Sequence, residues 1–262
     1  MDRSPSRVAL PVPAGPAGGC SALGRQACHG RNYRRTEPLM KILAFDTSGP
    51  VLSVALETPR GRYALIRDIG LRHGEILASL IQQLCTDGET SIRDLDLIVC
   101  ARGPGSFTGL RIGMSLAKGL SAGSGVPLVS LPVPDILVHP YSFYASPVIP
   151  VIDAKKGRFY GACYIGGTRK SEYFDLDAET IVRRYNSAEG ILIAGPDAEL
   201  FKSGLSETGN VSFAPYSPTA VFDMLSMGPV QLETTGPDAP GQGPLYIRKS
   251  EAELGMEKDN GG

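Results

Sequence analysis

Two apolar runs in this chain each end on an aspartate and pass straight into a turn, and that repeated opening narrows the folds open to it. Residues 41–46 (K-I-L-A-F-D) lead into Thr47-Ser48-Gly49-Pro50, and residues 148–153 again close on an acid, Asp153. After the first run, residues 51–57 and 62–67 read as strands around the turn Thr58-Pro59-Arg60-Gly61, an antiparallel meander. Ile76, Leu77, Leu80, Ile81 and Leu84 then recur at helical spacing, with Asp87-Gly88 as the stop. A strand over 95–101, a helix over 107–123 and a strand over 127–131 follow. The order resumes more weakly after a Pro-rich junction at 131–150. Residues 158–165 alternate, Gly166-Gly167 signals a hairpin before 169–174, and helix, strand, helix and strand are expected near 178–184, 191–194, 197 and 211. The pattern predicts a duplicated α/β protein with lobes at 40–145 and 146–227. Gly- and Pro-rich residues 228–243 read as a linker within a terminal segment, 228–262, in which only 245–248 looks ordered.

Residues 1–39 differ in kind. They carry six Arg against Asp2 and Glu37, with repeated Pro and Gly and no sustained periodicity, and read as a disordered leader or tag ahead of a natural start at Met40. Pro11, Pro13 and Pro16 break the one apolar stretch that a signal peptide would need. The whole chain has 262 residues and a formal net charge of -1, a balance that disfavours unaided binding to nucleic acid. Its five cysteines form no C-x-x-C pair, so neither a zinc knuckle nor a disulfide framework is indicated, and a reducing cytoplasm fits. No run reaches the roughly 18 apolar residues of a membrane span.

The most specific segment is Gly103-Pro104-Gly105-Ser106-Phe107-Thr108-Gly109-Leu110-Arg111-Ile112-Gly113. Gly-Pro-Gly permits a sharp turn after a strand, and Ser106 is placed to cap the next helix. One reading is a phosphate-receiving helix start, the other a purely structural turn. Gly113 and Gly119 inside the helix each cost about 1 kcal/mol relative to Ala, so something must offset them. Two apolar stripes flank them: Leu110, Met114 and Ala117 on one side, Ile112, Leu116 and Leu120 on the other. Either one stripe lines the lobe's core while the other meets a second protein, or the helix is buried all round.

Together with Asp46-Thr47-Ser48 and His73-Gly74-Glu75-Ile76-Leu77, this block resembles the TsaB (YeaZ) family. Residues 153–160 (D-A-K-K-G-R-F-Y) are similar to that family's D-A-R-x-G-E-V-Y, and Pro244-Leu245-Tyr246-Ile247-Arg248 to its C-terminal P-x-Y-L-R. Arg158-Phe159 departs from the usual acidic-aliphatic pair. The resemblance implies two actin-like lobes, ribonuclease-H-like halves of the ASKHA fold, around a degenerate nucleotide cleft at Asp46, Thr47 and Asp153. It implies a non-catalytic scaffold for the TsaD threonylcarbamoyl transferase paralogue, with a TsaE-type ATPase, a homodimer when alone, and tRNA met only through the complex. The implied partner surface comprises residues 72–85 and 107–123, with His73, Glu75, Leu110, Arg111, Gly113, Met114 and Ala117 as its candidate residues.

Two other readings compete. An actin-fold ATPase or kinase would use Asp46 and Asp153, although residues 194–197 (A-G-P-D) lack the tandem glycines of an adenosine pocket. A metallopeptidase would need converging ligands, and the three histidines, His29, His73 and His139, include no pair at i, i+4. The expectation is therefore no metal site and no resident cofactor, with at most weak or shared ATP/ADP binding.

Overall fold

The computed structural model describes residues 40–70 and 72–248. The leader expected at 1–39 and the frayed end after 248 lie outside the described residues. In the first lobe β1 (Ile42–Asp46), β2 (Val51–Thr58) and β3 (Gly61–Asp68) form the expected meander. Next come α1 (His73–Asp87), β4 (Leu97–Ala101), α2 (Phe107–Ser124), β5 (Leu128–Leu131) and α3 (Val133–Val138). The sheet order is β3-β2-β1-β4-β5, with β1, β4 and β5 parallel. β4 and residues 42–45 of β1 are apolar throughout because both faces are covered. On one face Leu43, Phe45 and Cys100 pack with Leu77, Leu84 and Met114 of α1 and α2.

The second lobe holds β6 (Val148–Pro150), β7 (Ile152–Asp153), β8 (Arg158–Gly161), β9 (Tyr164–Ile165), β10 (Thr168–Arg169) and β11 (Phe174–Asp177). It continues through α4 (Ala178–Tyr185), β12 (Ile191–Ala194), α5 (Ala198–Ser203) and β13 (Val211–Phe213). The repeat is real but broken into two sheets, β10-β9-β6-β12-β13 and β11-β8-β7. Pro150 ends β6 without an N–H for a ladder, and the facing strand divides at the same level between Gly161 and Tyr164. Ile149, Phe159, Ile181, Ile193 and Phe201 form this lobe's core.

The terminal segment departs from the expected linker. Residues 221–235 form one helix, α6 (Val221–Thr235), with Gly228 and Pro229 inside it. Its Val221, Met224 and Leu225 share a buried cluster with Ile42, Ala44, Leu97 and Val99, so α6 covers the other face of the first sheet. α6 therefore runs through residue 227, where the second lobe is expected to end. Gly228 is needed for contact rather than for a turn: a Cβ there would lie 2.5 Å from Val99 Cγ2. Asp135 of α3 joins the lobes by accepting hydrogen bonds from Tyr164 and Tyr173 of the second.

Candidate partner face and inter-lobe cleft

Three motifs that lie far apart in sequence converge on the turn after β1. Ser106 N–H donates to Ser48 O at 2.7 Å, while Ser106 Oγ caps α2 by accepting from Gly109 N at 3.2 Å. The glycines of the eleven-residue block face this turn at close range. A Cβ at Gly105 would lie 2.4 Å from Ser48 O, one at Gly109 2.1 Å from Thr47 O, and one at Gly113 2.3 Å from Thr47 Oγ1. Only hydrogen side chains permit that approach, which is what offsets the helix cost of Gly113. From the other side His73 Nε2 lies 2.9 Å from Gly49 O, tying the start of α1 to the same turn. Thr47 and Ser48 are buried as a result.

This packing takes up five of the seven residues expected at the partner face. His73, Leu110, Gly113, Met114 and Ala117 are buried inside their own lobe, so they shape α1 and α2 from within and present nothing to a second molecule. Of the candidate residues only Glu75 and Arg111 are exposed. The opposite stripe of α2 remains: Ile112, Leu116 and Leu120 are half-buried. Leu116 and Leu120 line, with Ala78, Ile81, Cys85 and Ile92, a groove of about 300 Å³ between α1 and α2, bordered by Gln82 and Ser91. Gly119 faces open space, with no neighbouring atom within 4 Å of a Cβ built there.

The two aspartates expected at a nucleotide cleft sit at the ends of β1 and β7. Asp46 accepts from Ser48 N at 2.7 Å, and desolvation raises its pKa against the lowering effect of the Ser48 hydrogen bonds. Asp153 is held differently: its Oδ1 accepts from Lys155 N and its Oδ2 pairs with Lys155 Nζ, both at 2.7 Å. Asp153 N donates to Asp197 Oδ2 at 2.8 Å. Burial and the charge of Asp153 raise the Asp197 pKa. Tyr216 belongs to the same region: burial and the charges of Asp46 and Asp197 push its phenol up to about 12. Sequence reasoning did not single out Asp197 or Tyr216. Gly195-Pro196-Asp197 after β12 does echo Gly103-Pro104-Gly105 after β4, a signal that pointed to Asp197, whereas Tyr216 carries none.

Among the described residues no group of three or more His, Cys, Asp or Glu side chains is placed to hold a metal ion. His139 pairs instead with Asp223 at 2.8 Å, remote from His73 in sequence and contacts. No helix of the described residues is long and apolar enough to cross a membrane.

A family model described as "TsaD: tRNA N6-adenosine threonylcarbamoyltransferase" matches residues 68–225. The chain is 33% identical over 129 residues to the tRNA threonylcarbamoyladenosine biosynthesis protein TsaB of Escherichia coli, covering 48% of this chain and 55% of that protein. This alignment thus spans about half the length of that relative. The TsaB of Bacillus subtilis is 27% identical over 226 residues, covering 82% of this chain and 96% of the relative. In fold this chain is similar to YeaZ from Pseudomonas aeruginosa, with a TM-score of 0.68 at 23% identity over 79% of this chain and 100% of the other. The chain belongs to the family that this model describes, and within it to the TsaB (YeaZ) group.

Proposed function

We propose that this protein is a non-catalytic partner of a TsaD-type threonylcarbamoyl transferase in the modification of tRNA. The observation that carries the reading is the apolar groove between α1 and α2, which a single folded chain leaves open to the surface. A helix pair from another actin-like molecule fits such a groove, with Leu116 and Leu120 as central anchors and Gln82 and Ser91 at its border. The transferase is the physiological occupant, and a second copy of this chain takes its place when the protein is alone. A TsaE-type ATPase completes the assembly, and tRNA is met through the complex, in keeping with a net charge of -1. The setting is the cytoplasm, where Cys85, Cys100 and Cys163, all free and buried, stay reduced.

The rival reading, an ATPase or kinase using Asp46 and Asp153, has less to draw on. The Asp46 turn is packed beneath α2, and Asp153 already holds Lys155. Nucleotide binding of its own is accordingly weak, or is shared with the partner.

The test is Leu116→Arg on the half-exposed stripe, accompanied by a thermal melt because Leu116 also packs against the first lobe's core. Pairing with the transferase, followed by sedimentation velocity, weakens by roughly thirtyfold or more, the loss of about 2 kcal/mol expected of a central anchor. A tRNA modification assay reconstituted with the variant falls in parallel. Undiminished pairing would overturn the groove as the partner site.

A further inference from the structure

The motif Pro244-Leu245-Tyr246-Ile247-Arg248 has no part in the groove or in the cleft chemistry, yet it is bonded to both lobes within four residues. Leu245 N–H donates to Arg102 O at 2.6 Å, at the exit of β4. The Tyr246 ring stacks on Phe107 at 4.9 Å, and its hydroxyl accepts from Arg111 Nε at 3.2 Å. Arg111 also lies over the Phe107 ring, 3.9 Å from its centroid. These anchors all belong to the first lobe, at the start of α2. Arg248 reaches the second lobe: its Nε and Nη2 donate to Asp175 Oδ2 at 2.8 and 2.5 Å, and its Nη1 to Ala154 O at 3.4 Å. Asp175 is itself set by Arg158, which donates to its Oδ1 at 2.8 Å.

We infer that residues 245–248 are a tie that fixes the separation of the two lobes, with Tyr246 as its first-lobe anchor and Arg248 as its second-lobe anchor. The geometry favours this over a passive tail. The chain ahead of the tie is already laid along the first lobe, with Asp238 N–H donating to Leu128 O and Lys118 Nζ to Pro240 O. A single residue, Ile247, separates the anchors, so their backbones lie two residue steps apart, at most about 7 Å. Separation of the lobes by more than the side chains can absorb must therefore break one end. The tie also joins the two elements that flank the cleft carboxylates. Its first anchor is the start of α2, which packs on the Asp46 turn, and its second is Ala154, directly after Asp153. Beside the tie Ile152 and Tyr160 pack into the cluster of α6, with Arg248 lying 6.0 Å from the centroid of the Tyr160 ring, and elsewhere between the lobes Tyr164 meets Asp135. Charge-assisted, two-pronged bonds to one carboxylate give the tie a defined geometry. None of this depends on the identity of the partner at the groove.

The experiment measures the distance between lobes in the full chain. Spin labels are placed at Glu233→Cys on α6 and Glu199→Cys on α5, both exposed, with Cys20→Ser, Cys28→Ser and Cys85→Ala to keep labelling specific, since Cys85 lines the open groove. Labelled protein is diluted with unlabelled chain so that pulsed double resonance reads distances within one molecule. Arg248→Ala and Tyr246→Ala cut the tie at opposite ends, and each is expected to widen the distance distribution roughly twofold, as for lobes that no longer share a bridging contact. Tyr246→Phe keeps the ring stack and should stay close to the parent. Arg248→Lys, which loses the fork but keeps the charge, should fall between. Distributions in both alanine variants as narrow as the parent's would overturn the inference, since a segment that merely covers the surface would leave the lobe separation unchanged.

Discussion

The turn after β1 and the turn after β7 follow the same strand-aspartate pattern, but the first is covered by α2 while the second stands open with Lys155 across its carboxylate. In the first lobe Gly105, Gly109 and Gly113 let α2 press onto Thr47 and Ser48, and His73 closes the turn from the side of α1. In the second lobe the corresponding helix, α5, is six residues long, and Lys155, Lys156 and Gly157 are exposed with left-handed backbone angles. Duplication thus preserved the scaffold and divided the duties. The first turn became a structural keystone under the helices that border the groove, and the second stayed a surface loop held by local bonds and by Arg248.

The largest expected effect tests the keystone. In Gly109→Ala the new Cβ would meet the Thr47 carbonyl at 2.1 Å, a backbone atom that cannot swing aside. Overpacking of this kind costs about 3 kcal/mol, which lowers Tm by roughly 6–12 °C for a chain of this size. Gly113→Val acts in the same way through Thr47 Oγ1 and should destabilise the monomer, in contrast to Leu116→Arg, which should unpair it without unfolding it. The matching change in the open turn, Gly157→Ala, meets no atom within 4 Å and bears only the strain of its positive φ, about 1 kcal/mol. Thermal melts of the two alanine variants side by side decide the matter. Equal losses would mean that both turns are packed alike.

A second effect separates the two carboxylates. Burial holds the Asp46 pKa above its ordinary value of 3.8 in the folded chain, so the unfolded chain gives up its proton first. Below 3.8 both states are protonated and the group is neutral in the balance. As pH rises through 3.8 to the raised folded value, ionisation increasingly favours the unfolded chain. Asp46→Asn keeps an acceptor for Ser48 N–H and removes the buried charge. The variant should therefore be more stable than the parent at pH 7, the advantage disappearing near pH 3, as read from urea midpoints. Asp177 and Glu179 work the other way: hydrogen bonds from Thr180 and Ser206 lower their pKa values, so their stabilisation is present above the ordinary range and is lost on acidification. A parent as stable as Asp46→Asn at pH 7 would show that the Ser48 bonds outweigh desolvation.

The same contrast explains what was legible in the sequence. The first lobe was readable because its strands are long, its helices strongly periodic and its turns rich in Gly and Pro. The second lobe's repeat was visible, but the break at Pro150 and the splitting into two sheets depend on where facing strands lose register, which periodicity does not record. Helix α6 was missed because Gly228-Pro229 looks like punctuation, whereas Gly228 marks contact with Val99, 129 positions earlier in the chain. The site shows the same limit. The glycines of α2 announced a close approach, but a glycine stripe serves an inner neighbour as well as an outer one. The neighbour here is Thr47, 66 residues before Gly113, so only the folded chain distinguishes the two.

The smallest expected effect sharpens the comparison from the open side. Lys155 Nζ meets Asp153 Oδ2 at 2.7 Å, but the lysine side chain is 81% exposed, and an ion pair so placed is screened by water and salt. Lys155→Ala should change stability by less than about 1 kcal/mol, with the difference shrinking further in 0.5 M salt. The loop keeps its shape in the variant because Asp153 Oδ1 is held by the backbone N–H of residue 155, a bond that alanine retains. Comparing urea midpoints at low and high salt isolates the side-chain contribution. A loss as large as that of Gly109→Ala, or one indifferent to salt, would mean that the second turn is as much a packed support as the first, and the division of duties between the lobes would fall with it.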